Sequence, residues 1–307
     1  MTGARGVDPA WLEGFIQGER LDEGFVAQVE ALHAPLAARI AAVAMGPGFL
    51  VGICGPQGSG KTTTVRVLAA LLEARGLRVA TLSLDDLYLP RADREALARD
   101  IHPLLRTRGV PGTHDVALGL AVLDGLARDG ETALPRFDKA TDDRAPVNGW
   151  PVVAGPVDVV LFEGWCVGAR PEPPEALALP LNTLERERDP DATWRAYANA
   201  ALAGPYRPLF ARLDLLVLFT APDFETVLAW RREQEAKLRR RLAEAGQATG
   251  QVMNDDEVAT FVQHYERLSR HIAREMPARA DLVPTLDADR RSSIARHVIR
   301  SRGTASH

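Results

Sequence analysis

The sequence predicts an α/β chain built on a doubly wound parallel sheet, and three observations carry that prediction. Apolar runs of strand length recur at 49–54, 78–84, 157–162, 213–219 and 280–284, with helical patterns between them. Alternation of that kind produces strand–helix–strand units and a parallel sheet. The first run leads directly into Gly55-x-x-x-x-Gly60-Lys61-Thr62 and then a helical pattern, which is the spacing of a phosphate-binding P-loop between the strand and helix it requires. Two later runs end in carboxylates, Asp85-Asp86 and Glu163, at the strand ends where open parallel sheets bind ligands. The fold class is that of a P-loop NTPase with a helical N-terminal flank and a lid helix.

Composition bounds the rest. The chain has 307 residues, 46% hydrophobic and 25% charged, with a formal charge of −4, so bulk charge gives no reason to expect nucleic acid or an anionic membrane as partner. No apolar run approaches membrane-spanning length, and the first residues lack a signal-peptide core, so a cytoplasmic protein is expected. Cys54 and Cys166 both fall in or beside core strands and read as buried small hydrophobes of a reducing compartment.

Residues 1–48 read as a helical flank. Phe25, Val29, Leu32, Leu36, Ile40 and Val43 follow the spacing of one helix face, Pro35 is expected to break or kink that face, and Gly46-Pro47-Gly48 ends it. Residues 49–290 read as the catalytic domain. After the P-loop, Val65, Leu68, Ala69 and Leu72 give the helix a buried face, with Gly76 placed to cap it. The short connections to 78–84 predict a right-handed parallel crossover. A polar helix at 91–101 leads to a loop forced by Gly109, Pro111 and Gly112, and Asp115 is placed to cap the helix that follows. The segment from 133 to 151 reads as a hairpin or flap, and the Pro- and Glu-rich 168–190 as a surface loop. Helices are expected through Trp194, Tyr197 and Leu202, over 225–244, and over 255–276, the last two joined by a Gly/Gln/Thr linker at 245–251. Residues 291–307 read as a flexible tail.

Phosphoryl transfer needs a phosphate cradle, a metal, a group that orients or deprotonates the acceptor hydroxyl, and cations for the moving charge. The cradle spans Gly55, Pro56, Gln57, Gly58, Ser59, Gly60, Lys61, Thr62 and Thr63, which binds ATP in this reading; Lys61 reaches the β- and γ-phosphates and Thr62 holds Mg²⁺. The chain carries 37 Lys+Arg, yet its only lysines are Lys61, Lys139 and Lys237, so a lysine here marks a position suited to a compact ammonium on a flexible stem. Glu163 stands where an acid would hold or polarise the Mg²⁺ shell. Asp85 is the favoured acceptor base; Asp86 is either a metal-side partner or a turn residue, and the pattern separates the two only by position. Arg231 and Arg232 open a basic helix that suits a mobile lid bringing arginines over the phosphates, although a helix this charged is also what a solvated face looks like. Arg108, His114 and Asp115 flank one rigid loop, and Arg136 and Lys139 a short strand; with Asp86 and Tyr88 these suit a small acceptor bearing a carboxylate and hydroxyls.

The blocks 55–63, Ser83-Leu-Asp-Asp-Leu-Tyr-Leu-Pro90, Arg108-Gly-Val-Pro-Gly-Thr-His-Asp115, Leu134-Pro-Arg-Phe-Asp-Lys139, Phe162-Glu-Gly-Trp165, Trp230-Arg-x-x-Gln-Glu and His264-Tyr-Glu-Arg267 resemble the plant-type D-glycerate 3-kinase family. That family belongs with phosphoribulokinase, uridine kinase and bacterial pantothenate kinase among P-loop kinases. The resemblance runs in order from about residue 49 to 287. It implies ATP plus D-glycerate giving ADP and 3-phosphoglycerate, and it places the base at Asp85 and the metal-side acid at Glu163. Position 87 is Leu where the wider group has Phe.

Two other readings compete. One is a uridine- or pantothenate-type kinase. The other is a P-loop NTPase that switches a protein partner; guanine recognition usually needs an Asn/Thr-Lys-x-Asp block after the fourth strand, and Phe219-Thr-Ala-Pro-Asp223 lacks its lysine. The residues do not determine an oligomeric state.

Overall fold

The computed structural model describes residues 6–22, 24–246 and 252–297. Ten strands and eleven α-helices occupy the described residues. The main sheet uses β1 (Phe49–Cys54), β2 (Val79–Ser83), β7 (Val159–Gly164), β8 (Leu215–Leu218), β9 (Leu282–Leu286) and β10 (Ser292–His297) in the order β10-β9-β8-β1-β7-β2. Five strands are parallel, and β10 closes the edge antiparallel to β9. Two small hairpin ladders stand apart: β3 (Gly130–Ala133) with β6 (Val152–Gly155), and β4 (Phe137–Asp138) with β5 (Asp143–Arg144).

Helices cover both faces, as a parallel sheet with apolar residues on both sides demands. One face carries the flank α1 (Pro9–Glu19), α2 (Phe25–Gln28) and α3 (Ala34–Val43) together with α4 (Lys61–Glu73), packed through Leu32, Ile40, Leu68 and Leu71 onto Val51, Ile53, Leu161 and Val217. The other carries α6 (Val116–Leu126), α8 (Thr193–Ala203) and α9 (Tyr206–Ala211), whose Leu123, Leu202 and Tyr206 meet Leu50, Leu82 and Phe162. The remaining helices are α5 (Arg91–Asp100), α7 (Thr183–Arg188), α10 (Phe224–Glu244) and α11 (Asp255–Glu275).

One expectation is completed and three change. First, β1 and β2 run parallel, as the crossover reading requires, and β7 lies between them, paired Phe49↔Val159 on one side and Val79↔Val159 on the other. All six residues of β7 are buried, and a strand with no solvated face is most stable flanked on both edges. Second, Pro35 does not break the flank. The turn ahead of it, Val29–His33, is π-helical, with Ala34 N–H bonded to Val29 C=O, and the widened turn accommodates the ring at the start of α3. Third, the 168–190 loop contains a 3₁₀ turn (Pro174–Leu177) and α7, which Asn182 caps by accepting from Glu185 N–H at 3.0 Å. Its hold comes from Arg267 in α11, bonded to Glu185 and to the carbonyls of Ala176 and Leu179, contacts with no local periodicity to reveal them. Fourth, the stretch read as a tail begins with β10, while positions from 298 lie outside the described residues, as do 247–251 of the linker.

His33, fully buried beneath the P-loop helix, sits with Nε2 3.2 Å from Thr64 Oγ1, and burial pushes its pKa down to about 4. An unfolded histidine binds its proton near pH 6.5, so the folded state loses stability as pH falls from there toward 4. We expect the urea-unfolding free energy of His33→Gln to drop by about 2–3 kcal/mol less than that of the wild type between pH 7.5 and 4.5. Equal drops in the two proteins would show that His33 is not held neutral.

Candidate active site

The parallel register decides which side chains meet. Ile53, Glu163 and Ser83 are aligned across β1, β7 and β2, so the three strands deliver the P-loop, an acid and the Asp85 turn to one edge. Glu163 Oε1 accepts from Ser83 Oγ at 2.9 Å and from Thr62 Oγ1 at 3.3 Å. Burial raises its carboxyl above the usual range, against the pull of Lys61. Lys61 Nζ donates to Pro56 C=O at 2.9 Å, which folds its stem back over the loop. Gly58 has a positive φ of 79°, and a Cβ there would stand 2.6 Å from that of Trp230, so the loop passes where only glycine fits.

A cleft of about 550 Å³ opens over this edge, between the acceptor-side loops and the helices α10 and α11. Of the residues expected at the site, Gln57, Gly58, Gly60, Lys61, Thr62, Thr63, Asp85, Asp86, Tyr88, Arg108, Lys139, Glu163 and Arg231 line it. Gly55 and Pro56 face a neighbouring apolar cavity of about 270 Å³ beneath the start of α10, and the Ser59 hydroxyl is buried without a partner.

The structure separates the two aspartates. Asp85 sits on a 3₁₀ turn (Leu84–Leu87) with Oδ1 accepting from the Tyr88 hydroxyl at 2.9 Å and Oδ2 from Lys139 Nζ at 2.8 Å. Burial works to raise its pKa, but the Lys139 charge and these two hydrogen bonds outweigh it and bring it down to about 2. Asp86 accepts from Phe137 N–H at 3.1 Å and from Arg136 at 3.4 Å, so it fastens the β4–β5 hairpin; burial raises its pKa.

Three residues expected to touch the acceptor stand behind the cleft instead. His114 is 5% exposed, stacks on Tyr88 at 4.6 Å between centroids, and has Nδ1 2.5 Å from the Tyr206 hydroxyl. Burial pushes its pKa down to about 3, so it is a neutral prop for Tyr88. Asp115 caps α6 by accepting from Leu118 N–H and pairs with Arg144 at 3.1 Å. Arg136 is committed to Asp86.

Sequence reasoning passed over the residue that organises the acceptor side. Arg94, 1% exposed, donates to the carbonyls of Leu89, Arg106 and Asp142 and to the Asp142 carboxylate. Asp142 also pairs with Arg108, whose guanidinium lies over Phe137, so one buried guanidinium joins helix, loop and hairpin. Arg94 sits in a helix of ordinary polar pattern, and nothing in its spacing marks it. Ser83 and Tyr265 were also missed as site residues, although both fall within the blocks that carry the family resemblance. The Tyr265 hydroxyl donates to Arg108 C=O at 3.0 Å, and a Cβ at Gly109 would meet that hydroxyl at 2.1 Å. On the lid side, Arg231 pairs with the buried Glu235 and lies over Phe261. Arg290 donates to Gly58 C=O at 2.7 Å and to Glu233 at 2.6 Å, tying the P-loop to α10.

Both cysteines are buried, and burial pushes Cys54 up to about 12 and raises Cys166 as well, so neither is a reactive thiolate. Among the described residues no group of three or more His, Cys, Asp or Glu side chains has metal-site geometry. No helix among them is long and apolar enough to cross a membrane. A cation shared with nucleotide phosphates needs only one or two protein oxygens, and Thr62 and Glu163, held 3.3 Å apart at the cleft floor, fit that demand.

No protein-family model matches the chain. It is similar to an uncharacterized kinase of Schizosaccharomyces pombe, 35% identical over 230 residues that cover 72% of this chain and 79% of the relative. It is also similar to the chloroplastic D-glycerate 3-kinase of Arabidopsis thaliana, 33% identical over 254 residues that cover 79% of this chain and 49% of the plant protein; the chain thus spans about half the length of that relative. Among solved structures, a D-glycerate 3-kinase of Cryptococcus neoformans aligns with a TM-score of 0.68 at 28% identity, covering 86% of this chain and 96% of that one.

Replacing Arg94 by Met leaves three carbonyls without their guanidinium donor. We expect a stability loss of at least about 2 kcal/mol, read as a lower urea midpoint, with nucleotide affinity preserved and the acceptor KM raised. A variant as stable as the wild type would remove Arg94 from its organising role.

Proposed function

The chain belongs to the D-glycerate 3-kinase family of P-loop kinases, and from that premise we propose that it transfers the γ-phosphoryl group of ATP to the 3-hydroxyl of D-glycerate, giving 3-phosphoglycerate. The observation that carries the reading is the position of Asp85, a cleft-facing carboxylate bonded to Lys139 at 2.8 Å, on the same strand edge as Lys61 and Thr62. A base and a cation side by side suit an acceptor that brings a hydroxyl and a carboxylate together.

In this reading each side chain has one task. Lys61 leaves Pro56 C=O for the β- and γ-phosphate oxygens. Thr62 and Glu163 would hold Mg²⁺, which would supply positive charge to offset that of the phosphates. Asp85 takes the proton of the attacking hydroxyl, whose oxygen then bonds to the γ-phosphorus as the bridging bond to ADP breaks. Arg231 turns from Glu235 to the moving phosphoryl group when α10 closes over the cleft. Arg108 remains at the acceptor end, oriented by Asp142 and Phe137. The two buried thiols suit a reducing compartment, in keeping with a cytoplasmic location.

The deciding assay is ADP release with MgATP against D-glycerate, L-glycerate, pantothenate, uridine and ribulose 5-phosphate, with an acceptor-free blank. Stimulation by D-glycerate is expected; a flat panel with steady blank turnover would overturn the assignment and favour a switch acting on a protein partner. Lys61→Ala is expected to abolish turnover. Asp85→Asn is expected to lower kcat by on the order of 10²–10⁴ with nucleotide affinity near normal, as removal of a general base does. Lost nucleotide binding in Asp85→Asn would assign that residue to the metal or the fold.

A further inference from the structure

The cations around the acceptor end of the cleft are already committed to carboxylates. Arg94 and Arg108 are on Asp142, Arg144 on Asp115 at 3.1 Å, Arg136 on Asp86 at 3.4 Å, and Lys139 on Asp85 at 2.8 Å. Their side chains are 1%, 26%, 18%, 37% and 61% exposed in that order. Arg94 and Arg144 are fixed by carbonyl bonds, and Arg136 holds the hairpin through Asp86. Lys139 alone among these five has no second anchor: its ammonium bonds only to Asp85, from the turn between β4 and β5. An ammonium on a flexible four-carbon stem with a single partner changes partners at less cost than a guanidinium fork held at two or more points.

Its partner is the carboxylate placed to take the acceptor's proton. With Tyr88 on Oδ1 and Lys139 on Oδ2, both oxygens of Asp85 carry a donor, and a charged donor lowers the basicity of the oxygen it holds. Asp85 is thus masked in the resting cleft, and the mask is the most exposed and least anchored of these five cations.

Building on the kinase reading above, we propose that the Lys139–Asp85 pair is an acceptor-operated lock. The carboxylate of the acceptor draws Lys139 off Asp85, and the exposed Oδ2 then receives the hydroxyl proton. That proton passes to Asp85, the hydroxyl oxygen forms its bond to the γ-phosphorus, and the bond from the γ-phosphorus to the bridging oxygen breaks, leaving its electron pair on ADP. Without an acceptor, water in the cleft meets a masked base, and ATP hydrolysis stays slow. Hydroxyl compounds without a carboxylate fail for the same reason, even where they fit.

The test measures MgATP hydrolysis in the wild type and in Lys139→Met, each alone, with D-lactate, and with glycerol. D-lactate has the carboxylate and 2-hydroxyl of D-glycerate but no 3-hydroxyl; glycerol has the hydroxyls but no carboxylate. The lock predicts that D-lactate raises wild-type hydrolysis at least about fivefold and glycerol does not. It predicts that Lys139→Met hydrolyses ATP unaided at least about fivefold faster than the wild type, ignores D-lactate, and has a D-glycerate KM raised by about tenfold or more. Wild-type hydrolysis unmoved by D-lactate, or Lys139→Met that hydrolyses no faster than the wild type, would overturn the lock. A raised KM without faster unaided hydrolysis would also overturn it, leaving Lys139 as a simple acceptor contact. If the wild type phosphorylates none of the acceptor panel, the glycerate reading fails separately, because the unaided rates of the two proteins still read the lock.

Discussion

The site rests on a strand placed between two others. β7 separates β1 from β2, and the in-register alignment of Ile53, Glu163 and Ser83 brings the P-loop, a buried acid and the Asp85 turn to the same height. Glu163 then bonds both neighbours, to Ser83 at 2.9 Å and Thr62 at 3.3 Å, so the pairing that builds the core also sets the spacing of the reactive edge. A one-residue slip of β7 would turn Glu163 to the other face of the sheet, and every apolar residue of β7 with it. Burial of that strand on both faces is what makes the slip costly, and the geometry of the site inherits the rigidity of the core.

The parts of this arrangement legible in the sequence are those that local chemistry enforces. A P-loop needs its glycines, lysine and threonine at fixed spacing, and a buried strand needs an unbroken apolar run, so Lys61, Thr62, Asp85 and Glu163 all stand out. Strand order is not local: nothing in the residues at 49–54 or 78–84 says that a strand 75 residues further on from the second will come between them. Arg94 escaped for a related reason. Its partners are mostly carbonyls, which every residue has, so no pairing of residue types announces the contact. His114 erred in the opposite direction, since a histidine beside arginines looks like a ligand until burial shows it packed under Tyr88. Pro35 was read through its helix-breaking tendency, and the π-turn ahead of it is a backbone accommodation that residue type does not encode.

The reactive cations share a further feature. Lys61 is folded onto Pro56 C=O, Arg231 onto Glu235 and Lys139 onto Asp85, so each is held by an acceptor of the chain itself. An unpaired charge in a partly enclosed cleft is costly, and these contacts keep the resting cleft free of one. In the proposed reaction, binding two anionic substrates is an exchange of partners, in which each ammonium or guanidinium trades an internal oxygen for one on the ligand. Such an exchange costs less desolvation than bringing a bare cation out of water.

The three exchanges differ in what they leave behind, and that difference orders their roles. When Lys61 leaves Pro56 C=O it frees a neutral carbonyl, which demands little. When Arg231 leaves Glu235 it strands a carboxylate that is 6% exposed, so its release is favourable only once a charge as large as the moving phosphoryl is there to hold it. In the proposed reaction, when Lys139 leaves Asp85 the stranded group is the base itself, and the hydroxyl presented by the same acceptor is the partner that satisfies it. The acceptor therefore compensates at one end of its own structure for the ion pair it breaks at the other. That coupling requires the carboxylate and the reactive hydroxyl to belong to one small molecule.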